Sequence, residues 1–223
     1  MAIDAVIVAA GSATRFGDGD KLTADLCGRP VLAWSLAAFE AVENVGSLVL
    51  VTSRDRMEAA TSIATHWCSK VCVRVVEGGA RRRDSVEAGL RACTSRYVAI
   101  HDGARPLITN EAIQRVAAAA EGLPGAIAAA PVTDTIKEVT SGRISGHPDR
   151  ARLWAAQTPQ VVLRQAWLDA AAMSDNDETD DAAMLARLGL ECAVVDAGHE
   201  NVKITRPLDL EVAAAILRRR GLA

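Results

Sequence analysis

Apolar residues fall along this chain in short unbroken runs, separated by longer stretches in which they recur every three or four positions. The short runs are Ala5–Ala9, Leu48–Val51, Val71–Val76, Tyr97–His101, Ala126–Ala130 and Cys192–Val195. They are β-branched or Ala-rich and apolar at successive positions, as strands buried on both faces are. Between them the spacing predicts helices over Pro30–Val42, Arg54–His66, Arg83–Cys93, Asn110–Ala120, Gln165–Met173, Asp180–Leu188 and Pro207–Arg219. The first opens on a proline and carries Leu32, Leu36 and Phe39 on one side. Asp84 or Ser85 is the expected cap of the third, and Thr179 of the sixth. Strand–helix–strand repetition implies right-handed crossovers and a twisted, mostly parallel α/β sheet with helices on both faces.

The rhythm breaks after Pro131. "DTIKEVTSGRISGHPDR" (Asp134–Arg150) alternates weakly around Ser141-Gly142 and predicts a protruding two-stranded β-arm, at about residues 134–152. An isolated hairpin is marginal in water, so a second copy of the chain is its expected support. With no repeat or linker, residues 1–223 read as one domain plus this arm.

Composition narrows the class. Half of the 223 residues are hydrophobic, enough for a substantial core, and aromatics are only 3%. A formal net charge of -3 argues against nucleic-acid binding. No apolar run approaches the ~18–20 residues that span a bilayer, and the first lacks a basic flank. Five cysteines without a C-x-x-C fit reduced thiols in a cytoplasmic protein. "DNDETD" (Asp175–Asp180) lacks the glycine that a calcium loop needs at its sixth position.

Ligands of open α/β sheets sit beyond the carboxyl ends of the strands. "AAGSATRFGDGDK" (Ala9–Lys21), "GGARRRDS" (Gly78–Ser85), "HDGARP" (His101–Pro106) and "PVTDT" (Pro131–Thr135) follow four of the strands. They offer glycine turns, several cations and one central acid, Asp102, which suits a ribose hydroxyl or Mg²⁺. The first loop misses the dinucleotide fingerprint, because Ala13 stands where its second glycine belongs, and no acid ends the second strand. A Walker lysine is also missing. What remains is a turn with exposed backbone donors followed by Arg15 and Lys21, a pattern suited to a triphosphate. At ~4 Å one unit charge pair is worth ~1 kcal/mol in water and ~4 kcal/mol at an effective dielectric of about 20. A few fixed cations therefore offset the repulsion between two phosphorylated substrates and stabilise charge on a five-coordinate phosphorus.

In series, "AAGSATRFG…K", "GGARRRDSV", "HDGARP", "APVTDTIK", "TPQ", "TDDA" and "NVKITRPLDL" resemble the 2-C-methyl-D-erythritol 4-phosphate cytidylyltransferases of the non-mevalonate isoprenoid pathway. The resemblance implies a Rossmann-like nucleotidyltransferase fold and a homodimer with exchanged arms. It implies a Mg²⁺-dependent reaction of CTP with a phosphorylated alcohol, methylerythritol phosphate, that releases pyrophosphate. On that pattern Ala10, Gly11, Ser12 and Lys21 hold the triphosphate, and Arg15 and Lys21 stabilise the transition state. Gly78, Ala80, Ser85 and Asp102 surround cytosine and ribose. Arg105, Thr135, Arg150, Thr179 and Lys203 bind the acceptor; Arg150 and Lys203 aim its phosphate, and Thr135 and Arg150 come from the partner chain. Three positions depart from the pattern: Asp20 replaces the proline usual before Lys21, Ala13 a glycine and Gly103 an alanine. Ribitol 5-phosphate is the alternative acceptor, and an NADP-binding oxidoreductase the alternative from another class.

Overall fold

The computed structural model describes residues 1–11, 16, 19–173 and 176–223. The expected triphosphate residues Ser12 and Arg15, and the departure at Ala13, lie outside the described residues. Among those described, seven strands form one sheet: β1 (Ile3–Val8), β4 (Val45–Thr52), β5 (Val73–Glu77), β6 (Tyr97–Asp102), β7 (Gly125–Pro131), β10 (Trp154–Leu163) and β11 (Ala193–Asp196). Their order is β11-β7-β10-β6-β1-β4-β5. β1 pairs in parallel with β4 on one side and with β6 on the other, and Val8 lies opposite Asp102. The order thus reverses at β1, which opens a crevice at the carboxyl ends of β1 and β6.

The helices are α1 (Val31–Glu40), α2 (Met57–Trp67), α3 (Arg82–Ala92), α4 (Asn110–Ala120), α5 (Arg164–Met173), α6 (Asp181–Ala186) and α7 (Pro207–Arg219). Leu36 and Phe39 of α1 and Ile113 of α4 pack beneath one face of the sheet with Ile3, Leu48 and Leu50. Val86 and Leu90 of α3 and Trp167 of α5 cover the other face, against Val6, Val49 and Ile100. α7 closes a smaller cluster with Leu26, Trp34 and Leu107. The twisted, mostly parallel α/β sheet with helices on both faces is therefore present.

Three details differ from the sequence expectation. β10 is a ten-residue strand that the pattern does not announce, and it runs antiparallel between β6 and β7. A small ribbon, β2 (Asp25–Leu26) with β3 (Arg29–Pro30), precedes α1. The caps also shift. Arg81 is the N-cap residue of α3, and Asp84 Oδ2 accepts from its backbone N–H at 3.1 Å. Asp180, not Thr179, caps α6 by accepting from the Ala183 N–H at 2.8 Å. In the arm region, β8 (Glu138–Thr140) pairs with β9 (Arg143–Gly146). Ser141 and Gly142 both have positive φ, +50° and +76°, as a two-residue hairpin turn requires.

Candidate active site

The crevice at the β1/β6 switch holds a cavity of about 470 Å³. Three segments frame it. Val8–Gly11 leaves the end of β1, Gly79–Arg82 leads into α3, and Asp102 ends β6. Lys21 enters from the first loop and Lys203 from the segment before α7. The tight join between the first two segments depends on Gly78. A Cβ there would stand 2.6 Å from Ser85 Oγ and 2.9 Å from the Ala10 Cβ, so any side chain would separate the walls.

Asp102 is the electrostatic centre of the wall. Its Oδ2 accepts from Lys203 Nζ at 2.7 Å, and Arg105 Nε lies 3.9 Å from the same oxygen. Arg82 Nε lies 3.5 Å from Oδ1. Burial alone would raise the carboxyl pKa, but the Lys203 and Arg82 charges, with Arg105, hold it far below the ordinary range. Arg82 is shared: its Nη2 donates to Asp181 Oδ2 at 2.7 Å. Burial opposes the guanidinium charge, and Asp181 and Asp102 more than restore it. Trp167 Nε1 donates to the other Asp181 oxygen at 3.1 Å, so the acid behind Arg82 is itself fixed.

The three consecutive arginines thus divide. Arg82 lines the cavity. Arg81 also reaches the cavity wall, and it pairs with Asp84 at 2.7 Å. Arg83, buried, donates to the Ala171 and Asn176 carbonyls at 2.9 and 3.0 Å, which ties α3 to the end of α5.

A buried hydrogen-bond circuit sets Asp102 and Arg105 from behind. The Asp102 N–H donates to Thr158 Oγ1 at 3.0 Å, and His101 Nδ1 stands 3.1 Å from that hydroxyl. His101 Nε2 lies 3.1 Å from the Arg105 carbonyl, which can only accept, so Nε2 carries the proton and Nδ1 takes the Thr158 hydroxyl hydrogen. Burial pushes the His101 pKa down to about 4, which keeps the ring neutral. Asn201 closes the circuit. Its amide donates to the Thr158 carbonyl at 2.8 Å and to Gln157 Oε1 at 2.9 Å, and its own backbone carbonyl accepts from Arg105 Nη1 at 2.7 Å.

Of the residues expected from sequence, Ala10, Gly11, Lys21, Ala80, Ser85, Asp102 and Lys203 share the cavity wall. Gly78 stands behind it, and Arg105 behind Asp102. Thr135, Arg150 and Thr179 are not on the wall. Arg150 is exposed near the arm and donates to the Thr133 carbonyl at 2.6 Å. Of the three consecutive arginines, Arg81 and Arg82 reach the wall, and Thr158 and Asn201, behind it, are the site residues that sequence reasoning missed. The runs "TPQ" and "NVK" flagged their segments without revealing that Thr158 and Asn201 brace Asp102 and Arg105 from behind.

A family model for 2-C-methyl-D-erythritol 4-phosphate cytidylyltransferase (IspD) matches residues 3–219. The chain belongs to this family. Proteins of that name from Synechococcus sp. (strain WH7803) and Prochlorococcus marinus (strain MIT 9313) are 43% and 44% identical to it. Those alignments cover 96% of this chain and 99% of the first relative, and 97% and 98% for the second. A crystal structure of 4-diphosphocytidyl-2C-methyl-D-erythritol synthase from Anaerococcus prevotii superposes with a TM-score of 0.87 at 28% identity, covering 98% of this chain and 99% of that one. The enzyme from Thermus thermophilus gives a TM-score of 0.79 at 28% identity, with 98% and 100% covered. The cavity therefore belongs to a nucleotidyltransferase with a Rossmann-like fold, and the oxidoreductase reading falls.

The donor set fits a magnesium ion carried by its substrate. Asp102 is the one carboxylate on the cavity wall among the described residues, and no group of three or more potential ligands gathers among them. Mg²⁺ is commonly held by one or two carboxylates together with substrate phosphates and water.

Proposed function

We propose that this chain transfers the cytidylyl group of CTP to 2-C-methyl-D-erythritol 4-phosphate, releasing pyrophosphate and 4-diphosphocytidyl-2-C-methyl-D-erythritol. Convergence of Lys21, Arg82 and Lys203 on one cavity at the switch point is the observation that carries this reading. Two anionic substrates meet there, and fixed cations offset their repulsion in a site of reduced dielectric.

An acceptor phosphate oxygen attacks the α-phosphorus of CTP in line. The new P–O bond forms as the bond to the bridging α,β-oxygen breaks, and the electron pair leaves with pyrophosphate. A phosphate dianion is already nucleophilic, so no general base is needed; rate comes from positioning and charge stabilisation. Lys21 faces the triphosphate and the charge that builds at phosphorus, and the family pattern gives Arg15 the same role. Gly78 and Ala80 keep the backbone close to the nucleoside, and Ser85 and Asp102 supply its polar contacts. Lys203, on the wall, binds the acceptor phosphate, and Arg105 supports that end of the cavity from behind Asp102. Mg²⁺ would be held by Asp102 and the triphosphate, and would supply charge neutralisation there.

Thr135 and Arg150 complete the acceptor site from a second copy of the chain. Their position off the wall of their own cavity supports this, as do Val139 and Ile144, which are about 60% exposed on the hairpin (62% and 59%). Such a patch on a two-stranded ribbon favours a partner surface. Residues 1–223 would then act as one nucleotidyltransferase domain with an exchanged arm, in the cytoplasm. Among the described residues no helix is long and apolar enough to cross a membrane.

The test is pyrophosphate release across a grid of four nucleoside triphosphates and several phosphoalcohols, with and without chelator. Turnover should require CTP, methylerythritol phosphate and a divalent cation. Preference for ribitol 5-phosphate, or for another base, would overturn the assignment.

A further inference from the structure

The acid that precedes Lys21 is directed away from the cavity. Asp20 Oδ1 accepts from the Leu22 N–H at 3.0 Å, and its Oδ2 lies 3.6 Å from Arg56 Nε. The same guanidinium reaches the other end of the loop, where Nη1 donates to the Gly11 carbonyl at 3.2 Å. Arg56 stands where a single 3₁₀ turn, Arg54–Arg56, passes into α2. Gly11 and Lys21 line the main cavity. Asp20 and Arg56 instead face a small separate recess with Leu22, Thr52 and Ile63.

We propose that Arg56 is a positioning residue for the triphosphate cradle. It draws the Gly11 carbonyl and the Asp20 carboxylate away from the anion site, and so fixes the two ends of the loop that carries Lys21. Both groups would repel a triphosphate if they turned toward it. The planar guanidinium suits the task, because its separate N–H groups reach a carbonyl and a carboxylate at once. The two side chains are 24% and 22% exposed, so solvent screens their attraction and the pair adds little to folding stability. Its consequence is felt in nucleotide binding. This inference rests on the reading of the cavity as a CTP site.

The experiment measures pyrophosphate release by Arg56→Ala and Arg56→Gln, varying CTP and methylerythritol phosphate separately. The KM for CTP should rise ~10-fold in both variants, while the KM for the acceptor stays within about twofold. Adding Asp20→Asn to Arg56→Ala should return most of the CTP affinity, since the released acid is no longer charged. An arginine that merely held the fold would raise both KM values and would gain nothing from Asp20→Asn. An unchanged CTP KM in both Arg56 variants overturns the proposal, as does failure of the second substitution to restore it. A wild-type enzyme that releases no pyrophosphate from CTP would instead refute the functional reading, so the two failures are distinguishable.

Discussion

Lys203 Nζ donates to Asp102 Oδ2 at 2.7 Å, so the cation expected to hold the acceptor phosphate is tied to the one carboxylate on the cavity wall among the described residues. The pair stores the lysine in place before substrate arrives. Lys203 is itself 40% exposed and Asp102 only 12%, so the two partners differ in what their loss costs. Lys203→Ala should cost little stability, within the ~0–1 kcal/mol typical of exposed pairs, because Arg82 and Arg105 still face the acid. It should nonetheless raise the acceptor KM and lower kcat. Asp102→Ala should cost more stability, because it leaves Arg82 and Arg105 without their shared anion. Thermal melts and steady-state kinetics on both variants check the contrast; equal melting temperatures would contradict it.

Lys21 answers to a different substrate. It lines the cavity beside Gly11 and Ala80, at the end where the first loop returns from β1. Lys21→Ala should lower kcat by ~10²–10³, the cost of removing one stabiliser of developing charge, with only a small change in melting temperature. Lys21→Arg should recover little, because the guanidinium fork places its charge differently from an ammonium. Turnover near wild type in Lys21→Ala would contradict the role.

Much of this site is legible in the sequence, and what escapes it has a common cause. Asn110–Ala120 and Pro207–Arg219 form helices with the bounds that periodicity predicts. β10 escaped because Gln157, Pro159 and Gln160 interrupt its apolar run, and a strand in the sheet interior is expected to be apolar. Both glutamines are buried, because they anchor other segments and not because they meet water. Gln160 Oε1 accepts from the Asp181 and Ala182 N–H groups at 3.0 Å, and Gln157 bonds Asn201. The fate of Asp20 was hidden for the same reason. Its neighbour in sequence is a lysine, while its partner in space comes from the start of α2. Composition marks where polar groups gather, but the pairing of those groups is set by the sheet order.

The arm gives a prediction that one chain cannot satisfy. Arg150 and Thr135 stand off the cavity wall of their own chain. Under the proposed arm exchange, the Arg150→Ala and Lys21→Ala chains should each be nearly inactive alone, for different reasons. Mixed dimers bring together an intact cradle and an intact arm at one of their two sites, so co-refolding should return up to about a quarter of wild-type activity from random pairing. Activity that stays at the level of the separate variants would place Arg150 in its own chain's chemistry or outside it.

The buried circuit behind Asp102 gives the pH dependence of stability. His101 is fully buried, and its pKa falls from an ordinary 6.5 to about 4. Between those values the unfolded chain binds a proton that the folded chain refuses, so stability is complete above pH 6.5 and is lost as pH falls toward 4. For this group alone the linkage relation gives a loss of about 2 kcal/mol between about pH 7 and pH 5, a range in which ordinary carboxylates contribute little. Urea midpoints measured at those two pH values should show this loss in the wild type and a much smaller one in His101→Asn, whatever the absolute stability of the variant. The order of effects on the site follows from the circuit. Thr158→Ser keeps the hydroxyl that accepts from the Asp102 N–H and should keep most activity, whereas Thr158→Val removes it, leaves His101 Nδ1 without a donor and should reduce turnover. A wild-type midpoint that does not move across that interval would mean that the ring takes up its proton as readily in the folded chain as in the unfolded one, with Nδ1 then donating to the Thr158 hydroxyl.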